Sequence, residues 1–326
     1  MTSDGRNFPQ RPYLKPWYRL GRDRGRLLLH YGERVVAFEG KAVERLLPIL
    51  LPLLDGTRTV DQIERYLGET ASPAARQALC LLQEHDLLAD GPAPEPGIPS
   101  TVRETVYFLT SQAGSAPLAA HLETLQERSV TVVGSSRLAV EVARLLRLAG
   151  LWEVGETSWD ADGVAAAPPD LTIVAPSGAE LPRLARWNCR ALEEQRTWLQ
   201  VLPFDGAFAT VGPLYVPGET CCYQCFRLRR AATVAYREEF LALDDAPAPY
   251  PSPPPLEGLV AGLAALLALR WVTRRDPSLP GRFCAVEVGF DVRISHHTVY
   301  RVARCDVCSP GEQAASPLPW YEDVLG

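Results

Sequence analysis

Four cysteines arranged as two CxxC pairs are the residues of this sequence whose spacing could bind a metal ion. Cys222 and Cys225 form the first pair, in ETCCYQCF, and Cys305 and Cys308 form the second, in RCDVCS. Each pair presents two thiolates about one tetrahedral edge apart, and four sulfurs fill the coordination sphere of zinc without leaving a position for water. The sequence therefore predicts a structural four-cysteine site, and zinc is the expected cofactor.

The two pairs lie too far apart in the sequence for a small zinc finger, so the site must join two distant parts of one domain. Cys221 would form a CxxxC with Cys225, whereas Cys222 forms the tighter CxxC, and we therefore assign Cys222 as the ligand and Cys221 as a packed or spare thiol. Metal binding of this kind contributes on the order of 10 kcal/mol, so loss of one ligand should unfold the C-terminal part.

Composition restricts the remaining function classes. The chain has 326 residues, 47% of them hydrophobic and 22% charged, which is enough for a sizeable core and two domains. A net charge of −6 argues against a surface that binds nucleic acid throughout. Between residues 11 and 34, however, seven residues are basic and only two are acidic. This local excess of positive charge indicates an acidic partner for the N-terminal region.

The sequence gives no sign of a membrane or secretory segment. The N-terminus MTSDGRNFPQ lacks the apolar core of a secretory signal, and the longest apolar run, Gly258 to Leu269, is shorter than the roughly 20 residues that cross a bilayer. We expect a soluble cytoplasmic protein without a membrane partner. In a reducing compartment its eight cysteines are not expected to form a disulfide framework.

A proline- and glycine-rich segment, DGPAPEPGIPS, divides the sequence. It predicts a domain over residues 1–91, a linker over 92–104 and a second domain over 105–326. The first domain is predicted to contain short strands followed by three helices, which is the outline of a winged helix-turn-helix. Pro48 and Pro52 should break the first helix, Thr59 should cap the second, and Ser72 should cap the third.

The second domain alternates strands and helices, so the predicted fold class is α/β with a Rossmann-like sheet. Val130 to Val133 is a buried-strand pattern followed by a helical one, and WEVGETSW, DLTIVAPS and TWLQVLPF predict further strands. A long apolar helix is expected from Leu256 to Thr273. RFCAVEVGFDVRIS and TVYRVARC predict a hairpin that turns at His296 and His297.

Nucleotide binding and catalysis have little support in the sequence. The turn GSSRLA keeps only Gly134 of the usual glycines, while Ser136 and Arg137 add side chains where a phosphate would approach, so ATP is not expected. Asp160 and Asp162 could contact a ribose or a magnesium ion, or could be solvated. We assign no catalytic residue: Cys80, Cys189 and Cys284 are interpreted as packed thiols, and the histidine pair as an exposed turn.

The stretches VGPLYVPGETCCYQC and RVARCDVC both follow the degenerate Rossmann turn GSSRLA in the sequence. This arrangement resembles the ubiquitin-activating-enzyme-like proteins known as ocin-ThiF-like, or F-type, partners of YcaO cyclodehydratases. The N-terminal domain, with LPLLDGTRTVDQI, is similar to the PqqD-like peptide-recognition element of such proteins. The resemblance implies a non-catalytic adaptor, forming a homodimer, that binds the leader of a ribosomal precursor peptide. A separate YcaO enzyme would then use ATP to form azolines from Cys, Ser or Thr.

By the same resemblance, the peptide would add to an exposed strand edge, whose free N–H and C=O groups can pair with an extended chain. The implied strand comprises Arg34, Val35, Val36, Ala37 and Phe38, and the opposing helix would present Arg76, Leu79 and Gln83. Leu79 and Leu82 could equally belong to the core.

Two other functions stay open on the sequence alone. The fold of the family is that of adenylating enzymes, so the chain could be an active ThiF-type adenylyltransferase. A winged helix with basic strands could also bind DNA as a zinc-containing regulator, with an affinity that depends strongly on salt. The third helix, PAARQALCLLQEHDLL, offers few Arg, Lys or Asn side chains to read base edges, which argues against the regulator.

Overall fold

The computed structural model describes residues 8–112, 116–159, 168–244 and 246–309, and the chain divides into two compact units. The first unit is Met1–Gln126 and the second is Glu127–Gly326. The sequence-based division ended the linker at residue 104, but a helix already begins at Ser100 and belongs to the first unit. The proline-rich composition ends at Pro99, so a helix can start directly after it.

Five strands lie in the first unit. They are β1 (Pro12–Leu14), β2 (Arg19–Asp23), β3 (Arg26–Tyr31), β4 (Arg34–Phe38) and β5 (Leu88–Asp90). β2, β3 and β4 form an antiparallel sheet in that order, and β1 pairs with β5. Gly25 and Gly32 take positive φ angles in the two tight turns of this sheet, a conformation that costs glycine little.

The helices of the first unit follow the sheet. They are α1 (Lys41–Arg45), α2 (Leu47–Leu50) with a 3-10 turn at Leu51–Leu53, α3 (Val60–Leu67), α4 (Ser72–Glu84), α5 (Ser100–Gln112) and α6 (Leu118–Glu127). The expected break at Pro48 and Pro52 is confirmed. Thr59 caps α3, as predicted, and the structure shows that it does so in a capping box with Gln62. Ser72 is not a cap, because its hydroxyl donates to the Gly68 carbonyl and lies in the first turn.

The second unit is built on a seven-stranded mixed sheet. Its strands are β6 (Ser129–Val133), β7 (Glu153–Thr157), β8 (Leu171–Val174), β9 (Trp198–Leu202), β10 (Phe208–Tyr215), β11 (Arg282–Val288) and β12 (Val292–Thr298). The order is β12-β11-β10-β9-β8-β6-β7, with β7, β6, β8 and β9 parallel and the other pairs antiparallel. The predicted α/β alternation is confirmed for the parallel half.

Five helices complete the second unit. They are α7 (Arg137–Leu148), α8 (Arg183–Glu193), α9 (Tyr223–Ala231), α10 (Arg237–Leu243) and α11 (Pro254–Arg274). By length and composition alone α11 could span a membrane, but it packs on α7 and on β8 to β10. Val260, Ala264 and Ala268 are buried there, so this apolar segment is a core helix of the unit.

Two features of the antiparallel half differ from the sequence-based expectation. β10 was not anticipated, because Pro213 lacks an N–H and the register shifts between Val211 and Leu214. The hairpin turns at residues 289–291, so His296 and His297 lie inside β12 and not at the turn. TVYRVARC is therefore mostly a loop that leads from β12 to Cys305, and its alternating pattern was misleading.

Candidate metal centre and peptide-binding edge

Cys222, Cys225, Cys305 and Cys308 come together as the sequence predicts, with all four sulfurs within 4.8 Å of one another. The Sγ atom of Cys222 lies 3.8 Å from those of both Cys225 and Cys305, and that of Cys225 lies 3.6 Å from that of Cys308. Four sulfurs placed about 2.3 Å from a zinc ion would be about 3.8 Å apart. The cluster therefore fits a tetrahedral metal ion, and zinc stays the predicted occupant.

Two arginines connect the segments that carry the cysteines. The Arg301 guanidinium donates one hydrogen bond to the Gly218 carbonyl, at 2.6 Å, and another to the Thr220 carbonyl, at 3.3 Å. In the other direction Arg229 of α9 donates to the carbonyls of Tyr300 and Arg301. These bonds hold the loop before α9 against the loop after β12, which brings the two CxxC pairs to the same place.

The protonation of the cluster depends on hydrogen bonds between its thiols. A bond from the Cys222 thiol, together with the Val302 N–H at 3.3 Å, lowers the pKa of Cys225 to about 4. The same bond raises the pKa of Cys222, and burial raises that of Cys308 to about 11. Metal binding must therefore release protons. Cys221 is buried and its pKa is raised by that burial to about 12, as expected for a packed thiol.

The turn between β6 and α7 occupies the position of a Rossmann phosphate-binding turn, but its polar groups already have partners. The Ser136 hydroxyl accepts from the Ala139 N–H at 3.1 Å, capping α7, and donates to the Ala175 carbonyl. Gly134 is needed for packing, because a Cβ there would lie 2.3 Å from the Ala175 oxygen. Arg137 forms an ion pair with Glu257 at 3.1 Å.

A carboxylate lies beside this turn. Glu180 accepts from the Ser135 hydroxyl and from the Ser177 N–H, both at 2.8 Å. Burial raises its pKa, but these hydrogen bonds outweigh the burial and leave the pKa below its ordinary value, so Glu180 is ionised at neutral pH. Nothing in the sequence signals this contact, since Ser135 and Glu180 are distant in the chain. The negative charge of the Glu180 carboxylate would repel the negatively charged phosphates of a nucleoside triphosphate.

The cavity next to the turn is small. Its volume is about 190 Å³, below the roughly 300 Å³ at which ligand pockets begin. The lining includes Ser136, Arg137, Ser177, Tyr250 and Ser252. Asp160 and Asp162, considered above as ribose or magnesium contacts, lie outside the described residues.

β4 is an edge strand of its sheet: it pairs with β3, and no described strand pairs with its other side. Tyr31 and Arg34 flank a two-residue turn, so they form a hydrogen-bonded pair, and bonded and non-bonded pairs alternate from there. The N–H and C=O groups of Val35 and Ala37 therefore point away from β3. The expected strand edge at Arg34–Phe38 is present, with its outward hydrogen-bonding groups at these two residues.

The side chains of β4 alternate between solvent and core. Val35 is 58% exposed, and Arg34 and Ala37 are exposed as well. Val36 is half-buried against the core, and Phe38 is 9% exposed and belongs to the core. Phe38 was predicted to contact a peptide, but its ring is already covered. Only the backbone and the exposed side chains of the strand remain accessible.

The predicted helical wall needs a larger correction. Leu79 is fully buried between Ala75 and Leu82 on the core face of α4, so it cannot contact a peptide. Arg76 turns toward α3, where its guanidinium binds the Glu64 carboxylate. Gln83 lies seven residues after Arg76 and so shares that flank of α4. Leu82 is also a core residue, which was the open alternative.

Among the described residues, the other cysteines and histidines include one contact between a thiol and an imidazole. Cys189 is exposed on α8 and Cys80 is half-buried on α4. Cys284 is buried, and its Sγ atom lies 3.2 Å from Nδ1 of His296 across the β11–β12 pair. Burial raises the pKa of Cys284, which disfavours the thiolate that a nucleophile requires.

Comparison of the sequence with protein-family models and with curated proteins gives no match. Solved structures do match. The heterocyclase TruD has a TM-score of 0.67 and 23% identity, over 92% of this chain and 43% of TruD. A heterocyclase in complex with substrate and cofactor has a TM-score of 0.65 and 22% identity, over 91% of this chain and 39% of that one.

MccB of E. coli, in a structure with ATP, also matches, with a TM-score of 0.61 and 14% identity over 91% of this chain and 99% of MccB. The chain thus spans about two fifths of the length of the two heterocyclases and nearly the whole of MccB. These identities are low, so the likeness concerns the fold. The chain has a mixed α/β fold. The same fold occurs in MccB and in the part of each heterocyclase that matches this chain.

Proposed function

We propose that this chain binds the leader segment of a ribosomally made precursor peptide and presents the core segment to a separate YcaO cyclodehydratase. In this proposal the chain is a non-catalytic, cytoplasmic adaptor that forms a homodimer through its second unit. The likeness to heterocyclases supports a role in peptide modification. The proposal assigns azoline formation to the separate YcaO enzyme because the family resemblance implies that division of roles.

The open edge of β4 is the observation that carries the proposal. Val35 and Ala37 direct backbone donors and acceptors outward, and an extended peptide can satisfy them by adding as a further strand. Arg34, exposed at the start of the strand, offers a positive charge to an acidic leader. Side chains on both faces of the added strand would then determine which peptide is bound.

The structure of the β6–α7 turn supports the non-catalytic part of the proposal. Glu180 places a carboxylate where an adenylating enzyme needs to receive phosphate, and Arg137 is paired with Glu257. The chain's own contribution is therefore to bind and orient a peptide. Zinc, held by the four cysteines, would stabilise the second unit without taking part in chemistry.

The test is fluorescence anisotropy with a labelled leader peptide from a precursor encoded beside this protein, titrated with the intact chain. We expect saturable binding at micromolar or tighter affinity that is unchanged by ATP and magnesium. Ala37→Pro should weaken binding at least about tenfold, because it removes an outward N–H and leaves the β3 pairing intact. Leu20→Pro on β2, the opposite edge, is the matched control and should leave affinity unchanged.

An active adenylyltransferase is the second candidate, favoured by the likeness to a structure of MccB with ATP. It predicts peptide binding that requires ATP, and peptide-dependent exchange of pyrophosphate into ATP. Peptide binding without ATP, combined with no exchange above background, would exclude this function. Exchange activity in the wild-type chain would instead refute the adaptor role.

A further inference from the structure

The positive charge of the N-terminal region lies mostly away from β4. Of the seven basic residues between residues 11 and 34, only Arg34 belongs to β4. Arg19 and Arg22 lie on β2, and Arg24 lies in the turn between β2 and β3. All three side chains are exposed, and no described carboxylate forms an ion pair with them. An acidic partner therefore meets more unpaired positive charge at β2 than at β4.

β2 is the second edge of the three-stranded sheet, and it also has outward backbone groups. Asp23 and Arg26 flank a two-residue turn, so they form a hydrogen-bonded pair, and bonded and non-bonded pairs alternate from there. The N–H and C=O groups of Leu20 and Arg22 therefore point away from β3, to a side where no described strand pairs with them. An extended polypeptide is the kind of ligand that satisfies such groups.

A cavity of about 300 Å³ opens beside this edge, between the β2–β3 hairpin and α1. Three guanidinium groups line it, those of Arg22, Arg24 and Arg26, and Leu27 and Val43 form its apolar wall. We call it the Arg22 cavity. Its volume is that of the smallest ligand pockets, so it can receive a side chain of a bound chain.

The pairing of β2 with β3 places the outward strand edge over the Arg22 cavity. Leu20 is paired with Leu29 and Arg22 with Leu27, so both β2 side chains lie on the face of the sheet that carries these buried leucines. This face is open at β2, where Leu20 is 52% exposed. Side chains of a strand added to β2 would alternate between the two faces. Every second one would therefore lie on the side of the cavity.

The Arg22 cavity contains a cationic donor that the chain does not satisfy. Arg26 donates from one terminal nitrogen to Asp23, at 3.0 Å, and its other terminal nitrogen lies 3.8 Å from the Glu39 carboxylate. Its Nε atom is buried and has no hydrogen-bond partner among the described residues. A buried donor without an acceptor costs free energy, so an acceptor brought by a ligand would be stabilised there.

Two carboxylates also line the cavity, and they determine where an acidic side chain can enter. Asp23 is engaged in the ion pair just described. Glu44 of α1 lies beside the turn, since a Cβ built at Gly25 would be 3.5 Å from its Oε1 atom. Arg22 and Arg24 have no described carboxylate partner, so their positive charge is available next to the outward groups of β2. A carboxylate of a bound chain would be attracted to this end of the cavity.

We propose that the β2 edge and the Arg22 cavity form a second protein-binding site, which takes an acidic extended segment of a chain other than the leader. The segment adds to β2 through the backbone groups of Leu20 and Arg22. A glutamate or aspartate of the segment reaches into the Arg22 cavity. The inference does not depend on the proposed function, because β2 and β4 are opposite edges of the sheet and each can be occupied without the other.

The experiment uses a labelled synthetic peptide in which glutamate alternates with valine, titrated with the intact chain by fluorescence anisotropy. We expect saturable binding that Arg22→Glu weakens about fivefold or more, because a carboxylate replaces an attracting charge in the cavity. Leu20→Pro should weaken binding about tenfold, because it removes an outward N–H and leaves the β3 pairing intact. Glu44→Gln should strengthen binding about twofold, because it removes the competing carboxylate.

Matched controls make the same changes at the opposite edge or reverse the charge of the peptide. Arg34→Glu and Ala37→Pro on β4 should leave the affinity for the glutamate peptide within about twofold of the wild type. A peptide with lysine in place of glutamate should not bind. Thermal unfolding of each variant separates misfolding from lost contact, and Arg22→Glu keeps the test decisive if Leu20→Pro does not fold.

The possible outcomes separate this site from other occupants and from the proposed function. The inference is overturned if the wild type does not bind the glutamate peptide, or if the β4 variants lose as much affinity as the β2 variants. Displacement of the peptide by unlabelled leader would mean that one ligand uses both edges, which also overturns it. Displacement by millimolar inorganic phosphate, with no loss in Leu20→Pro, would assign the cavity to a small anion instead. Binding of the glutamate peptide by a chain that binds no leader would refute the proposed function and leave this site standing.

Discussion

The β6–α7 turn and the β4 edge differ in whether their backbone polar groups have partners within the chain. At the turn, Ser136 caps the helix and Glu180 binds two donors, so a ligand would first have to displace protein groups. At the edge, Val35 and Ala37 direct their backbone groups to a side where no described strand pairs with them. This difference is the reason that the proposed function places peptide binding in the first unit.

The comparison also separates fold from function. The second unit has the sheet that the matched heterocyclases and MccB share with it, and the described polar groups Ser136 and Glu180 at its β6–α7 turn form hydrogen bonds within the chain. The small three-stranded sheet, which covers a short part of the chain, has an edge whose backbone hydrogen-bonding groups pair with no described strand. Similarity of a large domain therefore says less about activity here than one strand edge does.

The largest effect should come from Cys225→Ser, which removes one metal ligand. We expect loss of bound zinc and a fall in the melting temperature of the second unit of roughly 10 °C or more, because the metal joins segments on either side of β11 and β12. Atomic emission measures the bound zinc, and calorimetry measures the melting temperature. Cys189→Ser, at an exposed cysteine, is the matched control. The affinity for the leader peptide should be unchanged in Cys225→Ser. A loss of that affinity would show that peptide binding at the β4 edge depends on the second unit.

An intermediate effect should come from Glu180→Gln, which removes the carboxylate from the turn. Ser135 and the Ser177 N–H lose a charged acceptor, so we expect a destabilisation of about 1–2 kcal/mol at pH 7 in denaturant titrations. The folded-state pKa of Glu180 is lowered, so its stabilisation is present above the ordinary value of 4.5 and is lost as the pH falls below it. The difference from wild type should therefore shrink as the pH falls below 4.5.

The same variant tests whether the turn is closed to nucleotide. Calorimetric titration of the wild-type chain with magnesium ATP should give no saturable signal at millimolar concentrations. Saturable ATP binding would contradict the contrast drawn between the turn and the edge. Binding that appears only in Glu180→Gln would identify the carboxylate as the group that excludes phosphate.

The smallest effect should come from Arg34→Glu at the exposed start of β4. An acidic leader should bind roughly threefold more weakly, because a single surface charge contributes little and is screened by salt. The difference between the variant and the wild type should narrow as ionic strength rises in anisotropy titrations. Arg22→Glu on β2 serves as the control. Equal losses of leader affinity in Arg34→Glu and Arg22→Glu would indicate a general electrostatic attraction to the first unit and not a specific contact at β4.

The sequence predicted the features that depend on local chemistry. CxxC spacing identified the four cysteines that cluster, and the capping residue Thr59 identified the start of α3. The expected edge strand and the long apolar helix are also present.

Features that depend on tertiary neighbours were predicted poorly. Arg76 and Gln83 share one flank of α4, but the spacing alone does not say whether that flank meets α3 or β4. The hairpin turn was placed at His296 because TVYRVARC alternates like the second strand, whereas most of that stretch is a loop after β12. The contact between Ser135 and Glu180 left no pattern to detect.

The four-cysteine cluster has a consequence for how the protein is made. Its first ligand pair is synthesised before α10, α11, β11 and β12, and its second pair only after all of them. During translation the ion cannot be fully coordinated until every strand of the large sheet has been synthesised. In a cell short of the metal we therefore expect chains with a folded first unit attached to an unfinished second unit, and under the proposed function such chains would bind precursor without delivering it.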